Sequence, residues 1–71
     1  MITAKKTVQY NGDEYLIQVH DWSFYTIWRG GEFVRPEQTA TELRLIAWQI
    51  VEEANERRDE IQATGPQWVQ L

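Results

Sequence analysis

Residues 3–35 contain short runs in which apolar and polar side chains alternate, a pattern typical of β-strands with one buried face. The runs are separated by Asn11-Gly12 and Gly30-Gly31, pairs that tolerate the positive φ of tight two-residue hairpin turns. The pattern predicts four antiparallel strands at about residues 3–10, 14–20, 23–29 and 32–35, with a third turn around residues 20–22.

Each two-residue turn sets the register of its hairpin, because the residues that flank the loop must face each other. In the first hairpin, one side then carries Val8 with Tyr15, Lys6 with Ile17, and Ala4 with Val19, and the other side carries Gln9 with Glu14, Thr7 with Leu16, and Lys5 with Gln18. In the second hairpin the pairs are Arg29 with Glu32, Trp28 with Phe33, and Ile27 with Val34. The first side of the first hairpin is the more apolar one, as expected if a helix covers it, but the pattern does not decide which face of the whole sheet the helix covers.

The spacing of apolar residues changes to every third or fourth position after residue 39, which predicts an amphipathic helix. Thr39 and Glu42 form a capping-box pattern with the threonine at the N-cap. The helix is expected to run from about residue 40 to 62, before Gly65-Pro66 stops it. The stripe expected to face the sheet consists of Leu43, Ile46, Ala47, Ile50, Ala54 and Ile61.

The predicted fold class is therefore α+β, and the chain of 71 residues has the length of a single domain, 1–71. It consists of a four-stranded antiparallel β-meander (two hairpins), one long amphipathic C-terminal helix and a short extended tail at 64–71. The chain has no cysteine and one histidine, so we expect neither disulfides nor a metal site nor a cofactor. Its nine aromatic residues, four of them Trp, are the main material for a core or an interface.

The net charge of −4 argues against binding to nucleic acid or to an anionic membrane through overall charge. No apolar run approaches the roughly 20 residues that a membrane-spanning helix needs. The first residues also lack the apolar stretch of a signal peptide. We therefore expect a soluble protein of the cytoplasm with no membrane partner.

No residues form a recognisable catalytic constellation. His20-Asp21 is the one adjacent His and carboxylate, and Ser23 lies nearby without the strained strand-to-helix elbow of serine hydrolases. A polar turn between two strands explains these residues. The acidic residues of the helix are expected to form a solvated face, so we expect a protein that is not an enzyme.

Two sets of apolar residues have no obvious cover. Leu45 and Trp48 lie roughly opposite the core stripe of the helix, near Glu52, and an exposed Trp beside a Leu often marks a binding surface. The alternative is that the tail folds back, so that Trp68, Val69 and Leu71 cover them. Trp68 is also a candidate residue for binding a partner. The third strand is apolar on both sides, so the candidate open sheet patch consists of Phe24, Trp28 and Phe33, with Arg29 and Arg35 at its rim.

These surfaces favour a module for protein–protein interaction, an inhibitor or an adaptor, whose partner is another protein. Small acidic proteins without cysteine or catalytic motifs are common among phage and mobile-element accessory proteins. This association rests on size and composition and not on particular residues. One alternative is a self-associating homodimer that uses the same surfaces. A second alternative is weak binding of single-stranded nucleic acid on the aromatic sheet face, for which the basic residues are few.

Overall fold

The computed structural model describes residues 1–65, in which a four-stranded antiparallel sheet is followed by helices. The strands are neighbours in chain order: β1 (Ile2–Tyr10), β2 (Asp13–His20), β3 (Phe24–Arg29) and β4 (Glu32–Val34). A 3-10 turn at Pro36–Gln38 leads to α1 (Thr41–Glu56) and α2 (Arg58–Thr64). The predicted α+β meander is confirmed, while the predicted tail lies outside the described residues from position 66 onward.

Both predicted hairpin registers are confirmed. Asn11 and Gly12 adopt φ values of 51° and 87°, as the tight turn requires, and the flanking pairs follow without a slip. The second hairpin pairs Trp28 with Phe33, as expected. The one irregularity in these two ladders is a register shift between Ile2 and Ala4 at the start of β1.

The turn between β2 and β3 is held in an unusual backbone conformation. Asp21 and Trp22 have φ values of 51° and 59°, a left-handed region that costs an ordinary residue about 1–2 kcal/mol. The Trp22 amide donates a hydrogen bond to Thr3 Oγ1 at 3.1 Å, and its carbonyl accepts one from Asn55 Nδ2 at 2.9 Å. The Arg58 guanidinium lies 4.8 Å from the centre of the Trp22 ring. Partners from β1, α1 and α2 thus hold this turn in place.

The helices cover one face of the sheet, and the core lies between the two layers. The helix stripe agrees with the expectation for five residues, while Ile46 is only partly buried and Val51 joins the core. Lys6 also faces the helices, and its mostly buried side chain reaches Glu53 at 3.6 Å. The core consists of Ala4, Val8, Tyr15, Ile17, Val19, Ile27, Leu43, Ala47, Ile50, Val51, Ala54 and Ile61.

The predicted capping box is wrong. Ala40 is the N-cap of α1, and no side chain caps this end. The hydroxyl of the buried Thr39 instead donates to the Arg35 carbonyl oxygen at 2.8 Å, across the 3-10 turn. A capping side chain must stand at the residue directly before the helix, and that position is occupied by Ala40, so Thr39 lies one residue too early to act as the cap.

The single helix predicted for residues 40–62 is divided in two at Arg57. This residue leaves the helical region, with φ −105° and ψ 22°, and it ends α1 and begins α2. Its guanidinium donates to both carboxylate oxygens of Glu60, at 3.3 and 2.7 Å. This pairing lowers the pKa of Glu60 and raises that of Arg57. After the interruption α2 packs on β1, and Ile61 remains in the core.

Candidate functional site

The face of the sheet that points away from the helices carries a cluster of large apolar side chains, which we call the aromatic sheet face and define as Leu16, Phe24, Trp28 and Phe33. They lie there because strand residues alternate between faces, and the intervening Ile27 is buried in the core. Phe24 and Phe33 are each 49% exposed. No element of residues 1–65 lies over this face.

Thr26 holds the centre of this face through its hydroxyl group. Trp28 Nε1 donates a hydrogen bond to Thr26 Oγ1 at 2.9 Å, and His20 Nε2 lies 2.8 Å from the same oxygen. The Gln18 side-chain oxygen lies at a longer distance, 3.5 Å. The bond to Thr26 fixes the orientation of the Trp28 ring, because the indole N–H is a donor with a single direction.

Ring contacts fix the two phenylalanines in the same way. Phe24 stacks on His20, with ring centres 5.1 Å apart and planes inclined by 11°. Phe33 meets Trp28 edge to face at 5.5 Å. These are favourable geometries for aromatic pairs, so the aromatic sheet face presents its rings in fixed positions without losing their exposure.

A shallow groove of about 510 Å³ runs across this face. Leu16 and Trp28 provide its apolar part, and the Gly30-Gly31 turn closes one end. The polar groups along it come from Thr7, Glu14 and Gln18. The groove is open to solvent, and it offers a concave apolar contact with polar groups around it, which suits an inserted side chain.

A second exposed apolar pair lies on α1 and is called the helix patch: Leu45 and Trp48. Leu45 is 58% exposed and Trp48 49% exposed. Trp48 does not point directly away from the sheet. Its ring contacts the Tyr25 ring of β3 edge to face, with the ring centres 4.9 Å apart. Glu52 is also exposed, two turns after Leu45.

The sequence-predicted residues therefore divide between two sides of the molecule. Phe24, Trp28 and Phe33 come together on the sheet, and Leu45, Trp48 and Glu52 come together on α1. Trp68 lies outside the described residues. Leu16 was missed by the sequence reasoning, although it faces Thr7 in the predicted register and pairs with Trp28 in the sheet.

The residues considered for catalysis are engaged elsewhere. His20 contacts Thr26 and Phe24, and the Ser23 hydroxyl donates to the Asp21 carbonyl oxygen at 2.8 Å. Within residues 1–65 no hydrogen bond joins His20 to Ser23. That part of the chain also contains no group of three or more His, Cys, Asp or Glu residues arranged to hold a metal ion.

The fold and these surfaces define a two-layer α+β protein that exposes aromatic side chains on both outer sides. Neither helix in the described range has the length and apolar character needed to cross a membrane. A comparison with protein families, curated proteins and solved structures finds no match to this chain.

Proposed function

We propose that this protein is a non-catalytic module of the cytoplasm that binds another protein through the aromatic sheet face, as an inhibitor or an adaptor. The observation that carries the proposal is the exposure of Phe24 and Phe33 on a sheet face that nothing in residues 1–65 covers. Large aromatic side chains supply much of the binding energy in protein interfaces. Rings that are already held in place lose little conformational freedom on binding.

The character of the face favours a protein partner with an apolar, uncharged surface. Along β1 and β2, this side of the sheet carries one basic side chain, Lys5, and one acidic side chain, Glu14, so their charges balance. Single-stranded nucleic acid is bound by aromatic platforms that lie inside strongly basic grooves. This face lacks that charge, and the whole chain carries −4. An apolar segment that inserts one side chain into the groove matches both the shape and the neutrality.

The test compares three baits in affinity capture with quantitative mass spectrometry: the wild type, a sheet variant with Phe24→Ser and Phe33→Ser, and the helix variant Leu45→Ser. The replaced side chains are similarly exposed, so neither variant removes a core residue. We expect one partner to be retained by the wild type and by Leu45→Ser and to be lost from the sheet variant. Thermal unfolding of each bait controls for a loss of fold.

Two results contradict the proposal. In the first, every captured protein remains with the sheet variant. In the second, sedimentation across a concentration series shows a dimer that the sheet variant abolishes, which would make a second copy the occupant of this face. Binding to an oligonucleotide that weakens steeply with added salt would instead favour the nucleic-acid alternative.

A further inference from the structure

We propose that the helix patch is a second binding surface, which takes a basic segment of a partner protein with an apolar residue at its centre. This surface is independent of the aromatic sheet face. The helices lie on one side of the sheet and the aromatic sheet face lies on the other, so the two surfaces point in opposite directions. The protein can then hold two partners at once, as an adaptor does.

The apolar centre of this surface consists of Leu45 and Trp48, which are neighbours one turn apart on α1. The contact with Tyr25 supports one edge of the Trp48 ring, while about half of the residue stays exposed. A supported but exposed Trp is a common anchor in protein interfaces. Trp48 therefore has the features of a binding anchor rather than those of a core residue that is incompletely buried.

Three carboxylates and one guanidinium flank this apolar pair, so the surroundings are acidic on balance: the basic group is Arg44, one turn before Trp48, which donates a hydrogen bond to Thr41 Oγ1 at 3.1 Å. Glu42 lies one turn before Leu45, Glu52 lies two turns after it, and Glu56 follows one turn later, so all three lie on the outer side of α1. None of them forms an ion pair with a basic side chain in the part of the chain that the structure describes. Elsewhere on the helices the pattern differs, because Glu53 is paired with Lys6 and Glu60 with Arg57.

Charge complementarity decides which occupant fits. A second copy of the helix patch would bring two acidic surfaces together, and nucleic acid would be repelled in the same way. A basic protein segment is attracted by the three carboxylates. An arginine suits the site best, because its guanidinium pairs with a carboxylate in two hydrogen bonds and also stacks on an indole ring.

The test uses a synthetic helical peptide with arginines around a central leucine, titrated into ¹⁵N-labelled protein and followed by NMR. A peptide with glutamate in place of each arginine is the control ligand. We expect the arginine peptide to shift the resonances of Leu45, the Trp48 indole and Glu52, and to leave the Trp28 indole unchanged. We expect the glutamate peptide to shift none of them.

Variants separate the apolar and the electrostatic parts. Leu45→Ser should weaken binding about tenfold, because the variant has no leucine side chain to transfer from water into the interface with the partner. The double variant Glu52→Gln with Glu56→Gln should lower the affinity for the arginine peptide about twofold to fivefold per carboxylate. This loss of affinity should be smaller at high salt, which screens the attraction between the charges. The matched control, Asp13→Asn with Glu37→Gln, changes the net charge equally at exposed sites outside α1 and should leave the affinity unchanged.

Three outcomes overturn the proposal. One is an equal loss of affinity in the matched control, which would show attraction to overall charge alone. The second is a set of shifts centred on the aromatic sheet face. The third is no binding of the arginine peptide while thermal unfolding shows the protein folded. Each of these leaves the sheet-face proposal standing, because the outcome of that test depends on the replacement of Phe24 and Phe33.

Discussion

Thr26 is the residue whose replacement tests most directly how the aromatic sheet face is held. Thr26→Val substitutes a methyl group of similar size for the hydroxyl and keeps a β-branched residue that suits a strand. Two close contacts disappear, the bond from Trp28 Nε1 at 2.9 Å and the contact with His20 Nε2 at 2.8 Å. The contact to Gln18 at 3.5 Å is too long to count as a strong bond.

The expected loss of stability follows from these two bonds. A protein hydrogen bond contributes about 0.5–1.5 kcal/mol net, and an unpaired buried donor costs more than an exposed one. Trp28 and His20 are only partly buried, so water replaces some of what is lost. We expect the free energy of unfolding to fall by about 1–2 kcal/mol. For a domain of this size that lowers Tm by about 4–16 °C.

The assay is urea denaturation combined with hydrogen exchange of the Trp28 indole. The matched control is Thr7→Val, on the same face of the sheet, whose hydroxyl makes no hydrogen bond within residues 1–65. Thr26→Ser keeps the hydroxyl and should recover most of the stability and the slow indole exchange. Equal stability of Thr26→Val and Thr7→Val, together with an indole that exchanges no faster than in the wild type, would contradict this role of Thr26.

Two further replacements test the contacts of the helices. Because Arg57 lowers the pKa of Glu60, the carboxylate stabilises the fold above its ordinary pKa, and this contribution disappears as the pH falls through the lowered value. Glu60→Gln should therefore be less stable than the wild type near neutral pH and equally stable in acid, and a difference that persists in acid would contradict this cause. Asn55→Ala removes the hydrogen bond to the Trp22 carbonyl, so we expect the free energy of unfolding to fall by about 1 kcal/mol in chemical denaturation. Gln49→Ala, at an exposed position of α1, is the control. Equal losses of stability in the two variants would refute the role of the bond.

The sheet could be predicted from the sequence because its two hairpin turns consist of residues that tolerate positive φ. Asn11-Gly12 and Gly30-Gly31 each favour one tight geometry, and that geometry determines the pairs along both hairpins except at the register shift between Ile2 and Ala4. Alternation then separates Phe24 and the other open-face aromatics from the core residues. For this reason the aromatic sheet face could be predicted, with the omission of Leu16.

The helical part was predicted less well because its departures depend on tertiary contacts. The Thr39 hydroxyl bonds to Arg35 rather than to the helix, a choice that local sequence does not reveal. No Gly or Pro marks the interruption at Arg57. The contact of Trp48 with Tyr25 depends on how α1 lies across the sheet. Periodicity indicates which stripe is apolar but not where the helix lies.

The sequential order of the strands also has a consequence for how the chain folds. Every strand pairs only with its neighbour along the chain, so each step of sheet formation closes a short loop. Pairing between neighbouring strands keeps the contact order of the sheet low, which favours faster folding than a sheet with distant pairings. The distant closure is made by α2, which returns to β1 and buries Ile61 there. This contact joins the two ends of the described chain, so we expect the sheet and the helices to unfold together.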